Sequence, residues 1–301
     1  MKITGLHLLM TYQCTFECDH CFVWGSPRQS GVMTLQDIRS ILTQGQELGT
    51  LESIYFEGGE PFLYFAVLVQ AVREAAQMGF RVGLVSNAYW ATSLEDAIEW
   101  LKPMARFIED LSVSSDLYHY SEAISKQSRN ATAAAQLLGI PIGMISIAQP
   151  HSPDHVDAIG QIPTGEEATL MYRGRAALNL ASKAQPRPWE TLVKCPYEDL
   201  RDPGRLHVDP FGYLHICQGI AIGNLFEEPL EQIVARFDPE THPICEALLA
   251  GGPVELVRRY DLAHRAEYAD ACHLCYEGRV ALRSRFPNIL TPNQMYGVQH
   301  I

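Results

Sequence analysis

Three cysteines fall within eight residues in Cys14-Thr-Phe-Glu-Cys18-Asp-His-Cys21, close behind the apolar run Ile3–Met10. The run predicts a buried strand, so the cysteines lie on the loop that leaves it. Cysteine thiolates are the usual ligands of iron-sulfur clusters, and three of them can hold one face of a cube while the fourth iron stays open. A metal with an open position can bind a further ligand. The C-x3-C-x2-C spacing therefore predicts a cluster with one vacant coordination position.

A zinc knuckle is the alternative to this cluster, with His20 as the fourth ligand. Adjacent His20 and Cys21 would chelate one ion awkwardly, and structural zinc motifs more often come as two pairs of ligands. We therefore favour the iron-sulfur cluster.

A glycine pair closes the second predicted strand in Glu57-Gly58-Gly59-Glu60-Pro61. Glycines allow a close backbone approach to a ligand. Alone, the segment would be an ordinary turn. Its position one β/α unit after the three cysteines favours a binding site instead.

These two motifs together resemble those of the radical S-adenosylmethionine (SAM) superfamily. The resemblance implies that Cys14, Cys18 and Cys21 hold a [4Fe-4S] cluster with one open iron. SAM would bind there and be cleaved to a 5′-deoxyadenosyl radical that abstracts a substrate hydrogen atom. The resemblance further implies that His20 lies near the adenine and that Gly58, Gly59 and Glu60 bind the amino group of SAM.

Weaker matches follow the third and fourth predicted strands. The resemblance implies that Ser86 and Asn87, and then Ser114 and Asp116, hold the ribose and carboxylate of SAM. Each pair has an equally good explanation as strand-end turn chemistry. Arg173 and Arg175 follow the sixth predicted strand, where they would either reach a carboxylate of SAM or substrate or lie exposed at the rim.

The first two thirds of the chain alternate short apolar runs with amphipathic stretches, which predicts repeated β/α units. Thr34 and Ser93 are predicted N-caps. We expect an α/β fold in which residues 1–185 form a partial (β/α)6 TIM-like barrel and residues 186–301 form a small α+β domain. The predicted strands are Ile3–Met10, Ser53–Phe56, Arg81–Val85, Leu111–Ser114, Ile142–Ile147 and Thr169–Tyr172, and the predicted helices are Leu35–Leu48, Phe62–Met78, Leu94–Met104 and Tyr120–Leu138.

Five further cysteines follow Lys194. Four thiolates would close a second [4Fe-4S] cluster completely, although a four-cysteine zinc site is the alternative. We favour the cluster, because Gly212 and Cys217 form the G-x4-C pattern of the accessory domains called twitch, the shortened form of SPASM, which this region resembles. The predicted ligands are Cys195, Cys217, Cys272 and Cys275; Cys245 falls outside the pattern and is more often a small buried apolar residue.

Within the superfamily the chain resembles the epipeptide-type peptide epimerases, on the cluster motifs, Ser86-Asn87 with Trp90, and Asp116 with Tyr118-His119. The resemblance implies a ribosomally made peptide as substrate. Those epimerases carry a hydrogen-donating cysteine directly after the ligand equivalent to Cys217, where this chain has Gln218. Cys245 is a weak candidate for the missing catalytic donor, and oxidation or cross-linking of the peptide are the other outcomes.

Two rival functions remain. One is a small-molecule dehydrogenase of the aminocyclitol type, and the other, from a different class, is a non-catalytic iron-sulfur electron carrier. The Gly58-Gly59-Glu60 segment argues against the carrier, because a carrier does not need to bind SAM. An enzyme of this type would take its electron from a flavodoxin or ferredoxin. A peptide substrate would be recognised by the barrel or by a separate peptide-recognition protein.

Charge and hydropathy exclude other partners. The net charge of −12 disfavours nucleic acid and anionic lipid. No apolar run is long enough for a transmembrane helix. The first strand begins almost at Met1, which leaves no room for a signal peptide, so we expect a cytoplasmic protein.

Overall fold

The computed structural model describes residues 1–152 and 155–298. In it the chain folds around one large mixed sheet with a separate two-stranded ladder. The strands are β1 (Ile3–Thr11), β2 (Ser53–Gly58), β3 (Arg81–Ser86), β4 (Asp110–Ser114), β5 (Ile142–Ile145), β6 (Arg187–Pro188), β7 (Gly204–Val208), β8 (Tyr213–Cys217), β9 (Ile220–Asn224) and β10 (Glu267–Tyr268).

Helices connect the parallel strands and follow the last hairpin. The predicted N-caps are confirmed, because the side chains of Thr34 and Ser93 accept hydrogen bonds from the backbone of the first turn. The helices are α1 (Leu35–Leu48), α2 (Phe65–Gln77), α3 (Leu94–Leu101), α4 (Lys126–Leu138), α5 (Arg175–Asn179), α6 (Leu230–Arg236), α7 (Cys245–Arg259, kinked at Gly251-Gly252) and α8 (Ala271–Leu282).

The sheet has the order β5-β4-β3-β2-β1-β7-β8-β9. Strands β1 to β5 are all parallel, which confirms the predicted α/β class and the β/α units of its first half. β7 pairs parallel with the free edge of β1, and β8 and β9 continue antiparallel. The carboxyl ends of β1 to β4 therefore lie along one edge of the sheet, where the loops that carry the predicted site residues begin.

The sixth predicted strand is wrong. Residues 169–172 form no strand, and among the described residues the neighbouring Ala168 makes only single bridges, to Ile147 and Val156. Leu170 and Tyr172 instead pack in a small apolar cluster with Leu180. An apolar run of four residues fits either arrangement, so its hydropathy could not decide.

Three helix bounds also differ from the prediction. A 3-10 turn over Pro61–Tyr64 precedes α2, and the Glu60 side chain caps this turn by accepting from Phe62 N. α3 ends before Pro103, which has no backbone N–H to continue the helix. α4 begins at Lys126 because the Ser125 side chain accepts from the backbone of Ser128, which caps the helix.

The sheet crosses the predicted boundary at residue 185, since β7 to β9 extend the sheet that β1 to β5 begin. The division into two domains stays a prediction. In the part of the chain that the structure describes, no helix is both long and apolar enough to cross a membrane.

Candidate functional site

The loop after β1 brings Cys14, Cys18 and Cys21 together; we call these three residues the early cysteine site. Cys14 and Cys18 are 9% and 8% exposed. A Cβ atom on Gly25 would lie 3.5 Å from Cβ of Cys14 and 3.6 Å from Sγ of Cys21, so the two side chains flank that glycine. Burial raises the pKa of the Cys14 thiol to about 12 and raises that of Cys18 as well. Ionising these thiols needs a compensating positive charge, which metal ions supply.

Arg175 fixes the shape of this loop. Its guanidinium donates to the carbonyl oxygens of Cys18, at 2.6 Å, and Gly25, at 2.9 Å, and its backbone N–H donates to Cys21 O at 3.0 Å. Arg175 is only 5% exposed, so the expectation of an exposed rim arginine is wrong. A buried guanidinium must find hydrogen-bond acceptors, and here the loop carbonyls serve as those acceptors.

The glycine pair after β2 packs against the same loop. A Cβ atom on Gly59 would lie 1.9 Å from Gln13 O, and one on Gly58, whose φ is +135°, would lie 2.5 Å from Thr11 O. Gly59 N and Glu60 N donate to Thr11 O and Gln13 O at 2.6 and 2.8 Å. The glycines are thus required by the approach of the two strand ends to each other, before any ligand is considered.

Glu60 is fully buried behind this contact. Its carboxylate accepts hydrogen bonds from Phe62 N at 3.1 Å, Ser86 Oγ at 2.9 Å and Asn87 N at 2.8 Å. Burial nevertheless raises the pKa of Glu60 to about 7. A carboxyl group with such a pKa is poised for a cationic partner, because a neighbouring positive charge would restore its ionised form.

Asn87 joins the carboxylate pocket to the early cysteine site. Its side-chain N–H donates to Cys14 Sγ at 3.4 Å and to Thr15 Oγ1 at 3.1 Å. Ser86, beside it, accepts from the indole N–H of Trp90 at 2.9 Å. One continuous hydrogen-bond network therefore links the ends of β1, β2 and β3.

Asp116 forms the other side of this region with His20 and His119. Its Oδ1 atom lies 2.8 Å from Nδ1 of His119 and accepts from the backbone N–H of Tyr118 at 3.0 Å. Burial opposes its charge, but the hydrogen bond and charge of His119 hold the pKa of Asp116 below its ordinary value. Ser114, the last residue of β4, is partly buried two residues before Asp116.

His20 carries an unmet hydrogen-bonding group. Its ring packs on Tyr118, with centroids 4.5 Å apart, and its buried Nδ1 has no partner among the described residues. Burial lowers the pKa of His20 to about 4. An orphaned ring nitrogen and three clustered thiols fit a metal cluster and a polar ligand at this edge of the sheet.

The four predicted late ligands line one cavity; we call Cys195, Cys217, Cys272 and Cys275 the late cysteine site. They come from the segment before β7, the end of β8 and the first two turns of α8. Burial raises the pKa of the Cys195 thiol to about 12, and the thiols of Cys272 and Cys275 are raised in the same direction. Four converging thiols fit either a closed cube or a tetrahedral zinc ion.

Two buried arginines line the same cavity. Arg173 donates to Cys217 Sγ at 3.4 Å and faces Glu198 at 3.5 Å, while Arg279 donates to Gln218 O at 2.6 Å. Burial opposes the charge of Arg173, but Cys217 and Glu198 raise the pKa of its guanidinium above the ordinary value. Sequence patterns do not identify Arg279 as part of this site and do not connect Arg173 with these cysteines.

Cys245 and Gln218 lie near the late cysteine site but outside its ligand set. Cys245 is fully buried in the main apolar core at the start of α7, and burial raises the pKa of its thiol. Gln218 follows Cys217 and is 5% exposed. The core position of Cys245 fits a small apolar residue better than a thiol that meets substrate.

Comparison with known proteins decides what this early site belongs to. Residues 8–141, which contain all of the early cysteine site and the Glu60 pocket, match the family model of the radical SAM superfamily. Over these residues the chain is similar to a radical SAM domain. The YydG protein of Bacillus subtilis, whose name assigns it to peptide biosynthesis, is 29% identical over 119 residues. That match spans 39% of this chain and 37% of YydG, so it covers little more than a third of that relative.

Solved structures agree on the fold around the radical SAM domain. SuiB of Streptococcus suis, bound to SAM, matches with a TM-score of 0.55 and 15% identity over 85% of this chain and 75% of that one. BtrN, in complex with AdoMet and 2-DOIA, matches with a TM-score of 0.52 and 16% identity over 77% and 81%. At such identities the likeness concerns the fold alone.

Proposed function

We propose that the chain is a radical SAM enzyme in which Cys14, Cys18 and Cys21 hold a [4Fe-4S] cluster with one open iron. Such a cluster supplies the electron that cleaves SAM to a 5′-deoxyadenosyl radical, which then abstracts a hydrogen atom from the substrate. The observation that carries this proposal is the bridge from Cys14 through Asn87 to the buried carboxylate of Glu60. That bridge connects a thiol cluster with a pocket suited to an ammonium group.

The remaining residues would take the roles that the superfamily resemblance implies. Glu60 would accept hydrogen bonds from the SAM ammonium, whose charge would offset the burial that raises the pKa of this carboxyl group. His20 would lie against the adenine, and Ser86, Asn87, Ser114 and Asp116 would bind the ribose and carboxylate of SAM. Arg175 would hold the cysteine loop in place from behind.

The late cysteine site would hold a second [4Fe-4S] cluster. Its two buried arginines would stabilise the net negative charge of four thiolates around either metal group, so the preference for a cluster rests on the twitch-like G-x4-C pattern of Gly212 and Cys217. A cluster held by these cysteines would supply an acceptor for one electron, so that loss of a hydrogen atom, an electron and a proton would oxidise the substrate by two electrons overall. Net oxidation of this kind, or bond formation, suits a chain with Gln218 in place of a donor cysteine.

A peptide is the substrate class that we propose first, because YydG carries a peptide-biosynthesis name. A small molecule of the aminocyclitol type is the second candidate, since the fold also resembles that of BtrN. A short precursor-peptide gene beside this one favours the peptide, and a sugar or antibiotic pathway favours the small molecule. The electron donor in either case would be a flavodoxin or ferredoxin.

Anaerobically reconstituted protein, mixed with SAM and dithionite, tests the central proposal. It should release 5′-deoxyadenosine, measured by liquid chromatography with mass detection, and the triple variant Cys14→Ala/Cys18→Ala/Cys21→Ala should release none. Cys245→Ala is a matched control, because it removes a buried thiol outside both sites. Continued cleavage by the triple variant would refute the assignment of the early cysteine site.

A further inference from the structure

A further group of convergent side chains lies on the sheet itself and shares no side chain with either cysteine site. His7 on β1, Glu57 on β2 and His207 on β7 come from three adjacent strands, and their ligand atoms all lie within 4.8 Å of one another. His7 Nδ1 is 3.1 Å from Glu57 Oε2, and His207 Nε2 is 3.3 Å from Glu57 Oε1. Two ligands on one divalent ion with bonds of about 2.1 Å lie about 3.0–3.4 Å apart, so the two contacts of Glu57 have the spacing of ligands that share an ion.

The strand register explains why these three side chains meet. His7 pairs with His207 directly across the β1/β7 ladder, and Glu57 is opposite Leu9 on the other side, two residues farther along β1. Because side chains alternate between faces, all three project from the face opposite Leu6 and Leu8. Ligands held by neighbouring strands are fixed more firmly than ligands on loops.

Hydrogen bonding among these groups is incomplete. His207 Nε2 faces both the Glu57 carboxylate, which only accepts, and the Gln218 amide nitrogen at 3.4 Å, which only donates. One ring nitrogen cannot donate to the first and accept from the second. The buried Gln218 Oε1 has no partner among the described residues, although Gln218 is only 5% exposed. A cation could bind the lone pair of His207 Nε2 and the Glu57 carboxylate. If the Gln218 side-chain amide rotated by about 180°, the cation could also bind its Oε1 atom.

The surroundings hold His7 in place. Its ring stacks on Tyr55 with centroids 4.6 Å apart, and the Tyr55 hydroxyl donates to Asp110 at 3.0 Å. The side chains of His7 and Glu57 are 18% and 14% exposed, whereas that of His207 is 8% exposed. The group is therefore ordered on its inner side and open to solvent on one other side.

We propose that His7, Glu57 and His207 form a binding site for one divalent transition-metal ion, with the side-chain oxygen Oε1 of Gln218 as a fourth ligand. Two imidazoles and a carboxylate suit zinc, iron(II) or manganese rather than calcium or magnesium, which prefer oxygen ligands alone. The solvent-facing side leaves a coordination position at which a carbonyl or carboxylate oxygen can bind. The site does not depend on the SAM chemistry proposed above.

Zinc binding to the reconstituted protein tests the site. Anaerobically reconstituted wild type is washed with EDTA, titrated with zinc chloride by calorimetry, desalted and analysed for zinc, iron and sulfide. We expect one zinc per chain with iron and sulfide unchanged, which separates this site from zinc exchange at the cysteines. Glu57→Gln, which keeps the size of the side chain and removes its charge, should weaken zinc binding at least about 100-fold.

Two further variants guard against misfolding and chance binding. His7→Asn removes a partly exposed ligand and should weaken binding about 10-fold or more with unchanged iron content and circular dichroism. His155→Ala removes an exposed histidine and should bind zinc as wild type does. If wild type with its full iron content bound no zinc, the proposal would be overturned. Equal zinc affinity in wild type, Glu57→Gln and His7→Asn would overturn it as well.

Discussion

The early and late cysteine sites differ in how the chain builds them. The early site takes its three thiols from one loop of eight residues. Among the described residues, its sulfur atoms accept hydrogen bonds only from neutral groups, namely the backbone of Phe16 and Gly25 and the amide of Asn87. Arg175 binds loop carbonyls, and the Glu60 carboxylate lies behind Asn87. The late site takes four thiols from segments that span Cys195 to Cys275, with two buried arginines around them. A three-thiol site beside a carboxylate is suited to an added cation, and a four-thiol site beside cations is suited to holding negative charge.

Two hydrogen bonds to sulfur illustrate this difference in charge between the sites. Asn87 donates a neutral amide N–H to Cys14 Sγ, and Arg173 donates a charged guanidinium N–H to Cys217 Sγ, both at 3.4 Å. Charge-assisted hydrogen bonds are roughly twice as strong as neutral ones. We therefore expect the two sites to differ in reduction potential, with the late site easier to reduce.

The largest expected effect concerns how many clusters each site holds. Reconstituted wild type should contain about eight iron and eight sulfide per chain, and the Cys14/Cys18/Cys21 triple alanine variant about half of each. Cys272→Ala should lose iron and solubility together, because the late ligands connect distant segments and metal binding couples to folding. Iron, sulfide and zinc analysis with size-exclusion chromatography provides the measurement.

A different metal content would contradict the assignment of an iron-sulfur cluster to the late site. Wild type with about four iron and one zinc would show that the late site is a structural zinc site. The electron acceptor proposed there would then be lost, and a redox-neutral radical reaction would remain.

A site could be predicted from the sequence when its residues lie close together along the chain. The early cysteine site lies within eight residues, and the caps at Thr34 and Ser93 depend on contacts three residues away, so spacing alone was informative. Arg279 could not be connected with Gln218, because their contact joins residues 61 apart in sequence. The pairing of β7 with β1 also joins residues far apart in sequence, and local hydropathy does not indicate which strand pairs with the free edge of β1.

The predicted sixth strand, which does not form, shows that a local pattern can also predict an element wrongly. Thr169–Tyr172 has a strand-like composition, yet Tyr172 N donates to the Asp270 side chain, 98 residues away, rather than to a neighbouring strand. A tertiary partner thus replaced the ladder that the local pattern predicted.

The second expected effect concerns the charge of Arg173. Arg173→Gln in the Cys14/Cys18/Cys21 triple alanine background, which isolates the late site, should lower its reduction potential by on the order of 100 mV. A unit charge within several ångströms contributes about 3–4 kcal/mol at an effective dielectric constant near 20, and about 1.4 kcal/mol corresponds to 59 mV for one electron. A redox titration followed by electron paramagnetic resonance measures the shift.

Arg201→Gln is the matched control for Arg173→Gln, because it removes an arginine whose side chain is 60% exposed and paired with Glu240. It should leave the potential unchanged. Equal potentials in all three proteins would contradict the difference in charge that we infer between the two sites.

The third expected effect concerns Glu60. Glu60→Gln should weaken SAM binding by about 1–3 kcal/mol, since a charge-assisted hydrogen bond to the ammonium would be lost. Iron content should be unchanged. Calorimetry with reconstituted protein measures the affinity, and Glu52→Gln, which alters a side chain that is 58% exposed, is the control.

The pH dependence of SAM binding gives an independent test of the same carboxylate. The pKa of Glu60 is raised to about 7 by burial, so the carboxylate is increasingly protonated as the pH falls below 7. The ammonium group prefers the ionised form, and affinity should therefore fall from pH 8 toward pH 6 in wild type. Glu60→Gln should flatten this dependence. A wild-type affinity that rises as the pH falls would contradict the role of Glu60.

The smallest expected effect concerns Asn87. Asn87→Ala removes a neutral N–H from Cys14 Sγ, which should lower the reduction potential of the early cluster in SAM-free protein by about 40 mV. A neutral hydrogen bond contributes about 1 kcal/mol, and about 1.4 kcal/mol corresponds to 59 mV for one electron. The early signal is recognised in the resonance spectrum as the one that the triple alanine variant lacks.

Asn179→Ala is the control for Asn87→Ala, since its amide donates to Asp19 at 2.7 Å on the exposed side of the same loop. It should leave the early potential unchanged. The comparison of the two sites requires the Asn87 shift to be smaller than the Arg173 shift, because only the guanidinium adds a net charge to its hydrogen bond. If Asn87→Ala moved the early potential as far as Arg173→Gln moves the late one, hydrogen bonding rather than charge would set both potentials, and the arginines would not explain why the late site accepts an electron.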